Sequence, residues 1–421
     1  MSDAWIIGVS TSKFGKHVER SFRDLTAEVV ASVLKDTGMD DGGLDLGQHI
    51  DGVWFGNCGM GSFGQMNIRG QVCLTPLSQN GVLPERVPVV NVEGACATGS
   101  LALGGAYRDV RSGEADLALA LGVEKTIILT DPLATVRLFD GGVDRLHPED
   151  WTEYFTAIGQ ETGHPFETRE DRVMFLDTYA MQARWHMAKY GTTAEELAAV
   201  ATKNHNNGSL NPNAHYRFET TDEAVLADRA VAGPLTRAMC CPVSDGAAAA
   251  LVCSDAYLKT LPTAIQERAI RIAANSLSGG RMRRLDEPGL TQEAGKRAYA
   301  RAGISPQDVQ VAEVHDSTAM CEIYQLEMLG LCDEGEGARL AVEGVTARDG
   351  RLPVNPSGGL ISRGHPLAAT GLGQTHEIVT QLRGEAGDRQ AGSPSIGLVQ
   401  NAGGLIGLDE ALCAVTVLSR K

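Results

Sequence analysis

The chain has 421 residues, of which 43% are hydrophobic and 21% charged, a composition typical of a globular protein with two or three domains. Its formal net charge of −16 excludes nucleic acid as a partner, because a phosphate backbone requires a basic surface. No apolar run is long enough to span a membrane, and the N-terminal residues match neither a secretory nor a mitochondrial signal. We therefore expect a cytoplasmic protein without membrane contact. Nine scattered cysteines without a Cys-x-x-Cys pair indicate reduced thiols and no metal site.

Strands and helices alternate along the first 125 residues. Short β-branched runs predict buried strands, and apolar residues at helical spacing predict helices between them. The predicted elements are a strand over 4–14, a helix over 21–38, strands over 51–57 and 87–92, a helix after Cys96 and a strand over 115–123. This alternation predicts an α/β fold with a parallel sheet covered by helices.

The alternation stops near residue 126 and returns near residue 236. We interpret 126–235 as a loop domain inserted into the first half, which then comprises 1–125 and 236–262. Residues 263–421 repeat the pattern of the first half. The predicted elements there are strands over 269–277, 309–315, 395–399 and 411–418, and helices over 291–303, 318–329 and from 367. The order β-α-β-α-β-α-β-β is thus predicted to occur twice, which indicates an internal duplication.

Cys96 lies where the strand over 87–92 turns into a helix. The unpaired N–H groups and the dipole at a helix start stabilise a thiolate, so we expect Cys96 to have a lowered pKa and to act as a nucleophile. The equivalent corner of the second half carries His365. Because ligands of such sheets bind beyond the carboxyl ends of the strands, Cys96, His365, His315 and the loop around Gly403 are predicted to converge on one site.

Five motifs carry a family resemblance that covers essentially the whole chain. They are GACATGS at 94–100, SDGAAAAL at 244–251, VHDS at 314–317, NPSGGLISRGHPLAATG at 355–371 and QNAGGLIG at 400–407. Together they resemble the thiolase superfamily, and its sterol-carrier-protein-2 thiolase-like branch in particular. The resemblance implies the thiolase fold, in which two βαβαβαββ halves form a layered α/β/α/β/α core with an inserted loop domain. It also implies a homodimer.

The resemblance assigns roles to four of these residues. Cys96 is implied to attack a 3-oxoacyl-CoA or acyl-CoA thioester and to become acylated, which divides acyl transfer into two steps. His365 is implied to take the thiol proton, and His315 to hold the thioester oxygen together with a water. The backbone N–H groups of Cys96 and Gly403 are implied to form an oxyanion hole.

One position departs from the family pattern. The branch usually has a second cysteine directly after the His-Asp pair, and this chain has Ser317 there. The other thiolase branch has its second cysteine in the terminal loop, where this chain has Asn401. Cys321 is about one helical turn further along and is predicted to face the core. Proton transfer is left open between His365, His315 and a substrate group, or the reaction is not a standard Claisen condensation.

Coenzyme A is the co-substrate that the resemblance implies, with no permanently bound cofactor. Arg237, Met239 and Cys241 belong to the segment expected to line a pantetheine tunnel. The residues expected to meet the phosphates are drawn from Lys203, His205, His215 and Arg217. Such thiolases often work with a small partner that contains an OB-fold and a zinc ribbon. The absence of a zinc motif in this sequence is compatible with a separate partner of that kind.

Three functions follow from these features. The first is an acyl-CoA C-acyltransferase that cleaves a 3-oxoacyl-CoA with free CoA, and the sequence resembles the thiolase subunits that cleave the aromatic substrate 2-benzoylsuccinyl-CoA. The second is a thiolase-like retro-aldolase on a 3-hydroxyacyl-CoA, which needs neither an acyl-enzyme nor a second thiol. The third is a catalytically degenerate scaffold subunit, and the presence of Cys96, His315 and His365 argues against it.

Overall fold

The computed structural model describes residues 3–38, 45–169 and 171–421. Its first half alternates as the sequence predicts. In chain order its elements are β1 (Ala4–Thr11), α1 (Phe22–Asp36), β2 (Gly52–Gly56), α2 (Arg69–Gln79), β3 (Val89–Val92), α3 (Thr98–Ser112) and β4 (Leu117–Glu124). The first helix starts after Ser21 because the Ser21 hydroxyl and the Asp24 carboxylate form a capping box.

The segment that follows β4 is mainly helical. It contains α4 (Pro132–Asp140), α5 (Pro148–Thr162), α6 (Met174–Tyr190), α7 (Ala194–Ser209), α8 (Asp222–Leu226), β5 (Ala230–Ala232) and β6 (Leu235–Thr236), and it ends at β7 (Gly246–Ser254). Since β4 and β7 are antiparallel neighbours, the chain leaves the sheet and re-enters it beside the same strand. The apolar side chains of this segment, such as Met181 and Leu197, share one core with Ile323 and Ile361 of the second half.

The chain after β7 contains the four strands located from the sequence, one fewer than the predicted order β-α-β-α-β-α-β-β requires. Its elements are α9 (Asp255–Leu258), α10 (Thr263–Arg268), β8 (Ile270–Gly279), α11 (Leu290–Ala302), β9 (Val311–Glu313), α12 (Ala319–Met328), α13 (Gly337–Val342), α14 (Gly359–Arg363), α15 (Thr370–Arg383), β10 (Ile396–Gly403) and β11 (Leu412–Ser419). The missing strand is reduced to a single bridge between Ala312 and Val354. Pro353 and Pro356 flank that bridge, and proline cannot donate to a β-ladder.

The strands form a mixed sheet with the order β3-β2-β4-β7-β1-β8-β11-β10-β9. The two halves meet where β1 pairs with β8 through Trp5–Arg271 and Ile6–Ile270. β2, β3 and β4 are parallel, as are β9 and β10. β7 and β11 run antiparallel to their neighbours, so the sheet combines the predicted parallel strands with antiparallel ones. In the chain, β7 comes after the parallel strands β2, β3 and β4, and β11 comes after the parallel strands β9 and β10.

Helices cover both faces of each half of the sheet. α3 and α15 contact each other, and they contact β4 and β10 respectively, so they form a central layer. α1 lies on β1 and β7, and α11 lies on β8 and β11. The predicted thiolase fold with α/β/α/β/α layers is confirmed. None of the helices in the described ranges is both long and apolar enough to cross a membrane.

Candidate active site

Cys96 lies in a short 3₁₀ turn, Ala95–Ala97, between the end of β3 and the start of α3. The φ of Ala95 is +47°, a backbone conformation that residues with a side chain rarely adopt. The Thr98 hydroxyl fixes this turn, because it accepts a hydrogen bond from the Gly94 N–H at 2.9 Å and donates one to the Ala95 carbonyl at 2.7 Å. The nucleophile candidate is therefore held by its own main chain, and its side chain is buried.

Two glycines allow the first turns of α3 and α15 to touch. A Cβ on Gly99 would lie 2.7 Å from the Ala368 carbonyl oxygen, and a Cβ on Gly371 would lie 2.7 Å from the Ser100 nitrogen. Side-chain carbons do not approach other atoms so closely, so only glycine permits this contact between main chains. The contact brings the turn before α3 against the turn before α15, which carries His365.

His365 faces the thiol in one defined tautomer. Its Nε2 lies 3.1 Å from Cys96 Sγ, and its Nδ1 lies 2.8 Å from Thr370 Oγ1. The Thr370 hydroxyl donates its single hydrogen to the Pro366 carbonyl at 3.0 Å, so it accepts a hydrogen bond from the imidazole. Nδ1 therefore carries the proton, and the lone pair of Nε2 is free to take the proton of the Cys96 thiol.

His315 has the opposite tautomer. The amide nitrogen of Asn401 donates to the Cys96 carbonyl at 3.1 Å, and the same nitrogen lies 3.0 Å from His315 Nδ1. Nδ1 thus accepts a hydrogen bond, and Nε2 of His315 carries the proton. The rings of His315 and His365 are 5.1 Å apart and nearly perpendicular. The site therefore presents one imidazole as a base and another as a hydrogen-bond donor.

Burial makes the thiol and the imidazole neutral. It raises the pKa of Cys96 to about 12, and it lowers the pKa of His365 well below its ordinary value, with His315 and Arg363 adding to the effect. Burial also lowers the pKa of His315 to about 3. The expectation of a thiolate with a lowered pKa was wrong, because desolvation outweighs the helix start. The geometry supports a thiol that loses its proton to His365 during attack.

Gly403 lies directly against the main chain of the nucleophile turn. A Cβ at this position would be 2.5 Å from the Ala97 nitrogen and 2.7 Å from the Gly94 carbonyl oxygen, and closer still to the Cys96 nitrogen. Gly403 is the last residue of β10, where it pairs with Leu412 of β11. The two main-chain segments implied for the oxyanion hole are thus brought together by a residue that has no side chain.

Ser317 and Cys321 form a hydrogen-bonded pair beside His315. The Ser317 hydroxyl donates to Cys321 Sγ at 3.3 Å, and the Thr318 hydroxyl lies 3.2 Å from the same sulfur. Cys321 is buried in the core, as predicted, and burial raises its pKa to about 12. Sequence reasoning did not identify the contact between Ser317 and Cys321.

Three of the residues predicted to contact CoA have buried side chains. Lys203 donates to the Val354 carbonyl at 2.8 Å and forms an ion pair with Glu322 at 2.9 Å. His205 Nε2 lies 3.0 Å from the Ala238 carbonyl oxygen, and burial lowers its pKa, so the ring is neutral. Met239 is fully buried in the core. The structure therefore corrects the expectation that Lys203 and His205 meet phosphates and that Met239 lines a tunnel.

Three other predicted CoA contacts lie nearer the surface. Arg237 is exposed and forms a bidentate ion pair with Asp228, with distances of 3.1 and 2.9 Å. Cys241 is half-buried, and its N–H donates to the Ser317 carbonyl at 3.0 Å. His215 is half-buried against Ser244, 2.8 Å away. Arg237 is therefore an exposed cation, and Cys241 is held by its main chain beside Ser317.

A buried polar network supports the turn that carries His315. Asp316 accepts hydrogen bonds from the Leu360 N–H at 2.7 Å and from Asn204 at 2.8 Å. Asn204 also donates to Glu322 at 2.8 Å, and Glu322 pairs with Lys203. Sequence reasoning missed this network because its members come from α7, the turn before α12, α12 itself and α14. The charge of Lys203 balances buried carboxylates, which accounts for its position inside the protein.

Cys96, His315 and His365 could also hold a soft metal ion. One ligand atom from each lies within 4.8 Å of the other two. A thiolate and two imidazoles suit Zn²⁺, but such an ion would occupy the sulfur that the catalytic geometry leaves for substrate. The hydrogen bonds of Thr370 and Asn401 account for both ring orientations without a metal. That no metal takes part is still a prediction.

The matches to known proteins extend over nearly the whole chain. The model of the thiolase N-terminal domain matches residues 4–225, and that of the thiolase C-terminal domain-like family matches residues 275–418. An acetyl-CoA acetyltransferase of Methanothermobacter thermautotrophicus is 37% identical over 100% of both chains. The benzoylsuccinyl-CoA thiolase subunit BbsB of Thauera aromatica is 33% identical, over 90% of this chain and 89% of that protein.

A solved structure shows the same fold. The chain of the Ltp2-ChsH2(DUF35) aldolase superposes with a TM-score of 0.75 at 22% identity, over 99% of this chain and 98% of that chain. This likeness concerns the fold alone, whereas the family models and the 37% identical relative concern descent and activity. The resemblance predicted from the five motifs is confirmed: the chain belongs to the thiolase family and is an acyl-CoA C-acyltransferase.

Proposed function

We propose that this enzyme cleaves a 3-oxoacyl-CoA with free CoA through an acyl-Cys96 intermediate. The observation that carries the proposal is the 3.1 Å contact between Cys96 Sγ and the unprotonated Nε2 of His365. In the first step His365 takes the thiol proton while the sulfur attacks the β-carbonyl carbon of the substrate. The bond between the α and β carbons then breaks, which leaves an acyl group on Cys96 and the enolate of a shortened acyl-CoA.

Two sets of donors stabilise the charges that develop. The backbone N–H groups of Cys96 and Gly403 bind the oxyanion on the carbon that is attacked, and the close approach of the two main chains supports this role. His315 donates its Nε2–H to the thioester oxygen of the enolate, and its hydrogen bond from Asn401 supports that tautomer. Free CoA then attacks the acyl-Cys96, and the Cys96 sulfur regains its proton from His365.

For CoA we propose an approach beside Arg237 and Cys241. Arg237 is an exposed cation whose carboxylate partner Asp228 can be replaced by a phosphate. The Cys241 N–H donates to the carbonyl of Ser317, which lies two residues after His315. The further expectations of a cytoplasmic homodimer and a small partner subunit belong to the same proposal. The edge position of β3 supports the dimer, and the description of BbsB as a subunit and of the aldolase as a complex with a DUF35 protein supports the partner.

The identity of the acyl group rests on weaker sequence similarity to known enzymes than the class of reaction does. The relatives include an acetyl-CoA acetyltransferase at 37% identity and a benzoylsuccinyl-CoA thiolase subunit at 33% identity. Acetoacetyl-CoA and 2-benzoylsuccinyl-CoA are therefore the two substrates to compare, each supplied with free CoA. We keep the aromatic substrate as the more specific proposal, since the sequence resembles that subgroup.

The test follows cleavage of each 3-oxoacyl-CoA by loss of its enolate absorbance. We expect turnover by the wild-type chain and a loss of about 1,000-fold or more in Cys96→Ala, because the covalent route is removed. Cys253→Ala, which removes a buried thiol in β7, is the matched control and should retain activity. Absence of turnover with both substrates, with or without a DUF35-type partner, would refute the thiolysis proposal.

A retro-aldolase on a 3-hydroxyacyl-CoA is the second candidate. The specific observation in its favour is that a hydroxyl, Ser317, occupies the position of the usual second thiol. Aldol cleavage needs a base for the substrate hydroxyl and needs no acyl-enzyme. Full activity of Cys96→Ala on a 3-hydroxyacyl-CoA would establish this reaction and exclude thiolysis as the main activity.

A further inference from the structure

A second thiol, that of Cys321, is hydrogen-bonded to Ser317, which follows His315 by two residues. Cys321 is in the first turn of α12, whose N-cap is Thr318. Its sulfur accepts a hydrogen bond from the Ser317 hydroxyl at 3.3 Å and lies 3.2 Å from the Thr318 hydroxyl. Ser317 and Cys321 are 8% and 5% exposed, so bulk water does not compete for these contacts. A buried hydroxyl between polar partners can pass a proton by receiving one and releasing another.

The pair shares a buried compartment with the nucleophile. Ser317 follows His315 by two residues, and its carbonyl accepts a hydrogen bond from the Cys241 N–H. The ring of His315 lies 5.1 Å from the ring of His365, whose Nε2 is 3.1 Å from Cys96 Sγ, so this segment of the chain lies beside the nucleophile. Proton exchange between the substrate region and Cys321 therefore requires no passage through solvent.

The groups already assigned leave two proton transfers without a carrier. His365 exchanges its proton with Cys96, and Thr370 fixes it in that role. His315 donates its proton in a hydrogen bond, and burial keeps its pKa too low for it to act as a base on an α-carbon. Cleavage of the carbon–carbon bond produces an enolate that must gain a proton. The incoming CoA thiol must then lose one.

We infer that Cys321, acting through the Ser317 hydroxyl, supplies the proton to the enolate and later takes the proton of the CoA thiol. The inference rests on the proposed thiolysis. The enolate carbon takes the hydrogen of the Ser317 O–H, and Ser317 takes the hydrogen of the Cys321 S–H, so that a Cys321 thiolate is left. The CoA S–H then gives its proton to Ser317 while Ser317 returns one to Cys321. The CoA thiolate formed in this way attacks the acyl-Cys96, and each proton is accounted for.

The order of acidities agrees with these directions. An α-carbon is a far weaker acid than a thiol, so protonation of the enolate by a thiol through a hydroxyl is downhill. Burial raises the pKa of Cys321 to about 12, so the Cys321 thiolate takes a proton readily from a thiol with an ordinary pKa. Cys321 is thus a thiol when the cycle begins and is restored to a thiol before it ends.

The experiment separates acylation of Cys96 from proton transfer at the α-carbon. Wild type, Cys321→Ala, Cys253→Ala and the double variant Ser317→Cys with Cys321→Ala are each mixed with acetyl-CoA. Acetyl-Cys96 is measured by intact mass after rapid quenching, and exchange of the α-hydrogens is measured by mass spectrometry in D₂O. Thiolysis of acetoacetyl-CoA is measured in parallel. Acylation of Cys96 also reports that each variant is folded.

We expect Cys321→Ala to reach the wild-type extent of acetyl-Cys96 and to lose about 100-fold or more of both α-hydrogen exchange and thiolysis. It should form acetyl-Cys96 more slowly than wild type, because release of CoA from acetyl-CoA reverses the step in which the CoA thiol gives up its proton. Cys253→Ala should behave as wild type. The double variant, which places a thiol directly at position 317, should regain at least about tenfold of the lost exchange. A merely structural role of Cys321 would not produce this rescue.

Two outcomes would overturn the inference, and they differ in what else they affect. Normal exchange and thiolysis in Cys321→Ala, with acetyl-Cys96 formed as usual, would refute the relay and leave the proposed function intact. Absence of acetyl-Cys96 and of thiolysis in the wild type would refute the proposed function, and the inference with it.

Discussion

The two turns that form the site, one before α3 and one before α15, are built alike but position different groups. Each has a 3₁₀ turn followed by a helix whose first residue is threonine, Thr98 in α3 and Thr370 in α15. Each hydroxyl donates back to a carbonyl of its own turn. The Thr98 hydroxyl accepts from the main chain of Gly94, whereas the Thr370 hydroxyl accepts from the side chain of His365.

The two threonines therefore have different roles in the two halves of the chain. The first corner uses its threonine to fix a backbone, and the position of the Cys96 sulfur follows from that backbone. The second corner uses its threonine to fix a tautomer, and the basicity of His365 Nε2 follows from that tautomer. In this duplicated fold, a threonine at the start of a helix therefore positions the nucleophile in one half and sets the protonation state of the histidine in the other.

The largest effect is expected where the corners touch. In Gly371→Ala the added Cβ would lie 2.7 Å from the Ser100 nitrogen, so α3 and α15 must separate. We expect activity to fall by about 100-fold or more, because a displacement of about 1 Å in a catalytic pair has that effect. Stability should fall by about 1–3 kcal/mol, measured by denaturant unfolding. Gly15→Ala, with open space around its Cβ, is the control, and equal behaviour of the two variants would contradict this account.

A smaller effect is expected from the threonine of the second corner. Thr370→Val removes the acceptor of the His365 Nδ1–H and leaves that buried donor without a partner. The loss corresponds to about 1–3 kcal/mol, which is about 5- to 150-fold if it acts on the rate-limiting attack. Steady-state kinetics should show the loss in kcat, with KM for the acyl-CoA little changed. An unchanged kcat would show that the tautomer of His365 is set by another contact.

The matching change in the first corner should affect stability more than catalysis. Thr98→Val leaves the Gly94 N–H without its hydrogen bond and loosens the turn at Ala95. We expect the free energy of unfolding to fall by about 1–3 kcal/mol, while kcat falls by less than about tenfold. Denaturant unfolding and kinetics on the same preparation decide the point. A kcat loss larger than that of Thr370→Val would remove the distinction between the corners.

The smallest signal concerns the charge state of the pair at neutral pH. Burial raises the pKa of Cys96 to about 12, so the thiol carries its proton at pH 7 and loses it only as the pH approaches that value. The ultraviolet absorbance of a thiolate should therefore be equal in wild type and Cys96→Ala at pH 7. An excess absorbance in wild type at pH 7 would indicate a thiolate–imidazolium pair instead.

Much of the fold and the centre of the site could be predicted from the sequence. The β-branched runs and helical spacings located most elements, and the motifs located Cys96, His315, His365 and Gly403, which the structure brings together. The repeated Ala-Thr-Gly at 97–99 and 369–371 is a signal that also points to Thr370. Local patterns succeed here because each motif coincides with one turn of the chain.

What failed depends on tertiary surroundings. The pKa of Cys96 is set by burial, which a helix-start motif does not reveal. Lys203 was expected from the sequence to bind a phosphate, but in the fold it forms an ion pair with Glu322. The contact between Ser317 and Cys321 depends on where α12 begins. The missing strand near Val354 could have been foreseen from its flanking prolines.

The most direct test of the account is the covalent state of Cys96 during turnover. Wild type and His365→Asn are mixed with acetyl-CoA, quenched rapidly and digested, and the peptide that contains Cys96 is analysed by mass spectrometry. The account predicts an acetyl group on Cys96 that forms within one turnover in wild type, and forms at least about 100-fold more slowly without the imidazole. Turnover of a 3-oxoacyl-CoA by wild type with Cys96 unmodified at every time point would contradict it.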